Sequence, residues 1–193
     1  MKLTAPKIVT PPPGPRAREW IARDKASLSP SLSRTSPLVG VKGEGVFVED
    51  VDGNVYLDFG SGIAVNSRGH RHPEVIAAIG KQLDRLVFLN SLDYYTTPQV
   101  EYAEMLFRVT PGAFPKRVFY SNSGSEAVET AIKMAKWHTR RPYGVAFVNG
   151  FHGRSMGAVS FTTTSASARR GFAPMYPIAH FVPYPYCYRC MFN

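Results

Sequence analysis

Two spacings of apolar positions alternate along this 193-residue chain. Val46-Phe47-Val48-Glu49-Asp50 and Val55-Tyr56-Leu57-Asp58-Phe59 are short β-rich runs separated by the turn formers Val51-Asp52-Gly53-Asn54, a pattern that predicts a β-hairpin. Helical spacing takes over afterwards. Val75, Ile76, Ile79, Leu83 and Leu86 make one face behind Pro73, which marks a first helical turn. Thr97-Pro98 opens a second helix through Val100, Ala103, Leu106 and Phe107 that stops at Pro111-Gly112, and Val128, Ala131, Ile132 and Ala135 define a third. Between and after these, Val118-Phe119-Tyr120, Val145-Ala146-Phe147-Val148 and Ile178-Ala179-His180-Phe181-Val182 read as strands. Strands alternating with helices predict a parallel sheet. About three strands are too few to cover both faces of a doubly wound sheet, so the chain is expected to stop in mid-architecture.

The N-terminal stretch obeys neither spacing. Pro6, Pro11, Pro12, Pro13 and Pro15 with Gly14 forbid regular helix over residues 1–15 and predict an extended arm, packed on another surface or mobile. A short helix is expected over Arg16 to Lys25, and an irregular segment from Ser27 to Pro37. Gly60 to Asn66 reads as a flexible link, by itself a plain connector first, that can also bring backbone close to a ligand.

The stretch around which the rest is organised is Phe119-Tyr120-Ser121-Asn122-Ser123-Gly124-Ser125-Glu126. Here a strand passes through a small polar turn into a helix. The first backbone N–H groups of a helix lack intrahelical acceptors and sit at the positive end of its dipole, which suits an anion. Ser123 and Ser125 add hydroxyl donors, and Gly124 permits close approach. The same residues also make an ordinary helix cap. A second cluster, Gly150-Phe151-His152-Gly153-Arg154, follows another strand, and two such strand ends predict a cofactor crevice at the carboxyl edge of an α/β sheet.

Composition narrows the field. The formal charge of +9 comes from 23 Lys and Arg against 14 Asp and Glu, but the basic residues are scattered rather than striped, which ranks a surface excess or an anionic small ligand above nucleic acid. No apolar run reaches the length of a membrane span and no signal-peptide core opens the chain; a cytoplasmic location without membrane attachment is expected. His70 and His72 lie two apart beside Pro73, a poor metal pair. Cys187-Tyr188-Arg189-Cys190 has a spacing used by zinc and redox sites, yet there is no second pair and His180 does not complete a set, so two free thiols in a loop are expected.

Asp50-Val51-Asp52-Gly53-Asn54, Gly62-Ile63-Ala64-Val65-Asn66, Gly69-His70-Arg71-His72-Pro73, Ser123-Gly124-Ser125-Glu126-Ala127-Val128-Glu129 and Phe151-His152-Gly153-Arg154 occur in this order. The ordered set resembles class-III pyridoxal-phosphate (PLP) aminotransferases, and most of all 4-aminobutyrate aminotransferases, including a Cys-Tyr-Arg-Cys loop. The resemblance implies a type-I PLP-dependent transferase fold of the α/β class, with residues 1–95 as arm, hairpin and helix and residues 96–193 as the first part of the large PLP-binding domain. It implies that Ser123, Gly124 and Ser125 hold the cofactor phosphate, that Phe151 stacks on the pyridine ring with His152 beside it, that Arg154 grips the substrate's distal carboxylate, and that Ile63 lines the substrate channel. Substrates would be an amino acid and a 2-oxo acid, 4-aminobutyrate or a similar ω-amino acid with 2-oxoglutarate, and the enzyme would be a homodimer. Amino-acid racemases of the same family are the alternative, and a non-catalytic gene fragment is another.

One departure matters. The family's Schiff-base lysine and ring-nitrogen aspartate lie beyond the Phe-His-Gly-Arg loop, whereas this sequence has no lysine after Lys136 and no Asp or Glu after Glu129. No catalytic residue is therefore expected in it. The chain reads as a truncated half-site, inactive alone.

Overall fold

The computed structural model describes residues 5–32 and 34–192, and the chain divides into two compact units, Met1–Thr96 and Thr97–Asn193. Residues 1–4 of the predicted arm, Ser33 of the irregular segment and Asn193 lie outside the described residues.

In the first unit the hairpin forms as the alternation predicts, and a third strand joins it. Strands β1 (Gly40–Glu44), β2 (Phe47–Asp50) and β3 (Val55–Leu57) make an antiparallel sheet in that order, with Gly43 opposite Val48 and Val48 opposite Tyr56. The sequence pattern does not predict β1, because Gly40-Val41-Lys42-Gly43-Glu44 is too rich in glycine to read as strand; its pairing with β2 supplies what propensity does not. The glycines have a use: a Cβ on Gly43 would collide with the His70 ring, which lies against it.

The turn between β2 and β3 is the structural centre of this unit. Asp50, 3% exposed, accepts the N–H groups of Asp52 (2.9 Å) and Asn54 (2.8 Å) on Oδ1, and Asn54 Nδ2 (2.9 Å) and the Tyr56 hydroxyl (2.8 Å) on Oδ2. Burial works to raise the Asp50 pKa, but these bonds, led by that from the Asn54 side chain, together hold it below the ordinary aspartate value. Asn54, fully buried, uses Oδ1 to accept the amides of Val9 (2.8 Å) and Thr10 (2.9 Å), while Lys7 and Val55 exchange backbone bonds. The described part of the arm is thus fastened to the hairpin. Asp52 accepts from the amides of Arg16 and Ala17, both at 2.9 Å, and so caps helix α1 (Pro15–Ser27), whose own N-cap residue Gly14 has no side chain to do it.

After β3 comes α2 (Ser61–Ala64), a single turn rather than a flexible link, in which Ser61, Gly62, Ile63 and Ala64 all have positive φ. A left-handed β-branched residue is strained, and here Ile63 adopts φ 63° and ψ 51°. Asp58 restrains the turn: Oδ1 accepts the Ser61 amide at 2.8 Å and Oδ2 pairs with His70 Nε2 at 2.7 Å. Helix α3 (Pro73–Leu83) follows with Pro73 in its first turn; Leu86 lies past its end, and its apolar face is solvent-exposed.

The second unit contains α4 (Thr97–Val109), α5 (Gly124–Thr139), β4 (Gly144–Phe147), α6 (Met156–Phe161) and β5 (Ala179–Val182). β4 and β5 pair in parallel, Gly144 opposite Ala179 and Phe147 opposite Val182. The expected buried strand at Val118-Phe119-Tyr120 does not form: no strand among the described residues pairs with it, and Phe119 is 70% exposed. A strand is a property of a ladder, and an apolar run alone cannot make one. α6, which the apolar spacing does not announce, packs on α5 and β5 and places Ala158 and Val159 in a small core with Ala146. Glu129 of α5 caps it, accepting from Ser155 Oγ (2.6 Å) and the Ala158 amide (3.0 Å). Among the described residues no helix is long and apolar enough to cross a membrane.

Candidate functional site

The turn before α5 forms a complete helix start. Ser123, in extended conformation, accepts the Glu126 amide on Oγ at 3.2 Å, and the Glu126 carboxylate reaches back to the Asn122 amide at 2.7 Å. Cap and anion site are therefore compatible readings. Each satisfied bond uses Ser123 Oγ as acceptor only, so its hydroxyl proton remains free to donate. The same holds for Ser125, whose Oγ accepts the Arg154 amide at 3.2 Å. The amides of Gly124 and Ser125 donate to no group among the described residues. A Cβ on Gly124 would meet nothing within 4 Å, so the approach is open.

Two free amides and two free hydroxyl protons at the positive end of a 16-residue helix fit a phosphate in both charge and donor count. The residues present therefore fit the phosphate end of PLP. Lys133 and Lys136, the last two lysines of the sequence, lie within α5 itself.

The loop after β4 is drawn onto this helix start. Gly153 is buried at φ 125°, and a Cβ there would run into Ser125, so only glycine allows the contact. Thr162 holds the loop from behind: fully buried, its Oγ1 accepts the His152 amide at 2.9 Å and donates toward the carbonyls of Gly153 (3.0 Å) and Ala158 (3.2 Å). The His152 ring is half-buried, edge-on to Phe161 at 6.5 Å between centroids. Phe151 is 58% exposed, with no ring stacked on it among the described residues. The Arg154 guanidinium is likewise solvent-exposed and makes no bond among the described residues.

The structure thus brings Ser123, Gly124, Ser125, His152, Gly153 and Arg154 into one cluster of the second unit. Ile63 belongs to the first unit, where it is 95% exposed on the strained turn. Three supporting residues carry no signal of their role in the sequence. Thr162, Gly157 and Glu129 act through contacts that reach up to 29 residues away along the chain, and only Glu129 lies inside one of the ordered motifs. His70 and His72 bond to Asp58 and Arg68 respectively, and no group of three metal-ligating side chains occurs among the described residues.

Comparison with known proteins places this geometry in a family. The family model for class-III aminotransferases matches residues 29–193. An alanine/serine racemase of Pyrococcus horikoshii is 41% identical over 187 residues, covering 95% of this chain and 39% of the relative. A 4-aminobutyrate aminotransferase of Mycobacterium bovis is 39% identical over 186 residues, covering 95% of this chain and 41% of the relative. Among solved structures, the taurine:2-oxoglutarate aminotransferase of Bifidobacterium kashiwanohense, in complex with PLP and glutamate, superposes with a TM-score of 0.79 at 27% identity, over 89% of this chain and 39% of that one. The chain spans about two fifths of the length of the relatives it matches. With the family model covering most of the sequence and the fold shared with PLP-bound relatives, the chain belongs to the class-III aminotransferases, on a type-I PLP-dependent transferase fold of the α/β class.

Proposed function

We propose that this chain supplies the phosphate-binding and ring-facing residues of a PLP-dependent transaminase for 4-aminobutyrate or a similar ω-amino acid with 2-oxoglutarate, working as a cytoplasmic homodimer. The observation that carries the reading is the bond from the Arg154 amide to Ser125 Oγ, which ties the Phe151–Arg154 loop to the helix start with its free donors. In this reading Ser123, Gly124 and Ser125 bind phosphate, Phe151 offers its exposed face to a flat ring and His152 flanks it. Ile63 borders the substrate path. Arg154, its guanidinium free, receives a carboxylate as a planar two-pronged donor. Bound PLP would supply the electron sink that acidifies the C–H bond beside the amino group. Moving that proton needs a positioned base, and the sequence holds no lysine beyond Lys136 to provide it. Residues 1–193 alone are therefore expected to bind phosphate and catalyse no amino transfer.

The test is a spectrophotometric titration of the chain with pyridoxal phosphate, with inorganic phosphate as competitor. Ser125→Asp places a carboxylate against the phosphate and should weaken binding at least about tenfold, roughly 1.4 kcal/mol. Unchanged affinity would remove the phosphate assignment. In a chimera completed with the remaining part of the mycobacterial relative, Arg154→Ala should raise KM for 4-aminobutyrate far more than for an amine lacking a carboxylate. The similarity to a racemase at 41% identity favours a second reading. Racemisation of an amino acid by the chimera, without net amino transfer, would decide for it.

A further inference from the structure

The two cysteines have no part in the site described above, yet they do not lie at random. Cys187 opens a 3-10 turn, Cys187–Arg189, and Cys190 is its C-cap. The turn is closed by the Arg189 amide donating to the Tyr186 carbonyl at 3.1 Å. Side chains at i and i+3 of a 3-10 turn eclipse one another, and three residues rise about 6 Å, inside the roughly 4.4–6.8 Å between Cα atoms that a disulfide spans. Both thiols are free; Cys187 is exposed and Cys190 half-buried. They line a groove of about 780 Å³ together with Arg189, Asn149 and Gly150, its aromatic side including the edge-on pair Phe147 and Tyr184. No acidic side chain follows Glu129 in the sequence, so the charged side chain of this groove is the Arg189 cation.

The geometry points to a thiol–disulfide exchange site at Cys187 and Cys190 whose co-reactant is a small anionic disulfide of the glutathione class. The exposed Cys187 attacks first, as its thiolate; one new S–S bond forms, the bond in the small disulfide breaks, and one small thiolate leaves. Cys190, eclipsed behind it and half-buried, then attacks Cys187 Sγ and expels the second small thiolate. The protein loses two electrons and two protons, and the small disulfide gains them as two thiols. Arg189, the charged side chain lining the groove, favours an anionic partner over a neutral one. Because Asn149 and Gly150 share the groove, the exchange takes place against the chain that leads into the Phe151 loop.

The reduced full chain would be incubated with glutathione disulfide, quenched with acid and mapped by peptide mass spectrometry. The expected product is one peptide carrying both cysteines with two hydrogens lost and no glutathione attached. Cys190→Ser should stop at a mixed disulfide on Cys187, and Cys187→Ser should react at least tenfold more slowly, through the half-buried thiol. The same reaction in urea serves as control for the folded turn, and there the preference for Cys187 should vanish. Two separate glutathione adducts, disulfides only between chains, or a native chain reacting with no preference for Cys187 would each overturn the assignment. Cystamine, a cationic disulfide, should react more slowly than glutathione disulfide; the reverse order would overturn the role assigned to Arg189.

Discussion

The turn at residues 50–54 and the helix start at residues 123–125 are both built from short polar residues beside glycine, and the structure uses them in opposite ways. In the first, Asp50, Asp52 and Asn54 spend their acceptors on eight donors of the chain: the amides of Val9, Thr10, Arg16, Ala17, Asp52 and Asn54, the Asn54 side chain and the Tyr56 hydroxyl. In the second, the amides of Gly124 and Ser125 and two serine hydroxyl protons are left over. A closed network fixes the chain, and an open one is available to a ligand. The distinction lies in donor accounting, since composition is nearly the same in both.

The largest expected effect breaks the closed network. Asp50→Ala would strand the Asn54 side chain, the Tyr56 hydroxyl and two amides, and should cost about 3 kcal/mol of first-unit stability. Urea unfolding followed by Trp20 fluorescence in a Trp137→Phe background reads that unit. A change below about 1 kcal/mol would mean that the hairpin stands without its carboxylate.

Acid attacks the same network by a smaller amount. Because the Asp50 pKa is lower in the folded chain than in the unfolded one, the native state binds fewer protons there. Its stabilisation is fully present above about pH 4 and is lost as pH falls through the depressed native value. Asp58 has the same sign, lowered first by its hydrogen bond from His70 and then by the Ser61 amide. Stability measured from pH 6 downward should therefore decline, and the decline should be shallower in Asp50→Ala. An identical acid slope in that variant would assign the proton uptake elsewhere.

Local and distant partners also separate what is legible in the sequence from what is not. The hairpin, α3, α4, α5 and the β4/β5 pair are legible because their signals are local: alternation around Asp52-Gly53, Pro73 ahead of an apolar face, Ser123 ahead of another. Val118–Tyr120 has the composition of a strand without being one, because pairing is not encoded in the run itself. β1 is hidden because its glycines fit the His70 ring, which comes 27 residues after Gly43. The six-residue α6 is too short to show a period, and its cap comes from Glu129 rather than from its own N-cap. The left-handed turn at Ser61–Ala64 reads as a flexible link because nothing in Ile63 or Ala64 favours positive φ. At the candidate site the anion donors are legible from Gly124 and its serines, whereas Thr162 and Gly153's contact with Ser125 require the fold.

Glu129 sharpens the comparison, because it makes a closed network within the second unit. Glu129→Ala removes the acceptor for Ser155 Oγ and the Ala158 amide and should cost about 1.5 kcal/mol, with faster hydrogen exchange confined to residues 155–162. Uniform acceleration across the second unit would instead make Glu129 a global determinant of that unit.

The smallest effect is expected at the open end. Gly124 begins α5, its φ is not positive, and a methyl group there meets no atom within 4 Å. Gly124→Ala should therefore stabilise the chain slightly, by about 0.5 kcal/mol, because alanine loses less backbone freedom on entering a helix. Gly157→Ala is the matched control, since its methyl would press on the Glu129 carboxylate and should destabilise. If both alanines destabilise alike, the helix start is packed rather than open, and the donors assigned to a phosphate have a partner within the chain. If Gly124→Ala stabilises while pyridoxal phosphate binds more weakly, the space above Gly124 is where the ligand sits, because the added methyl then meets only the ligand.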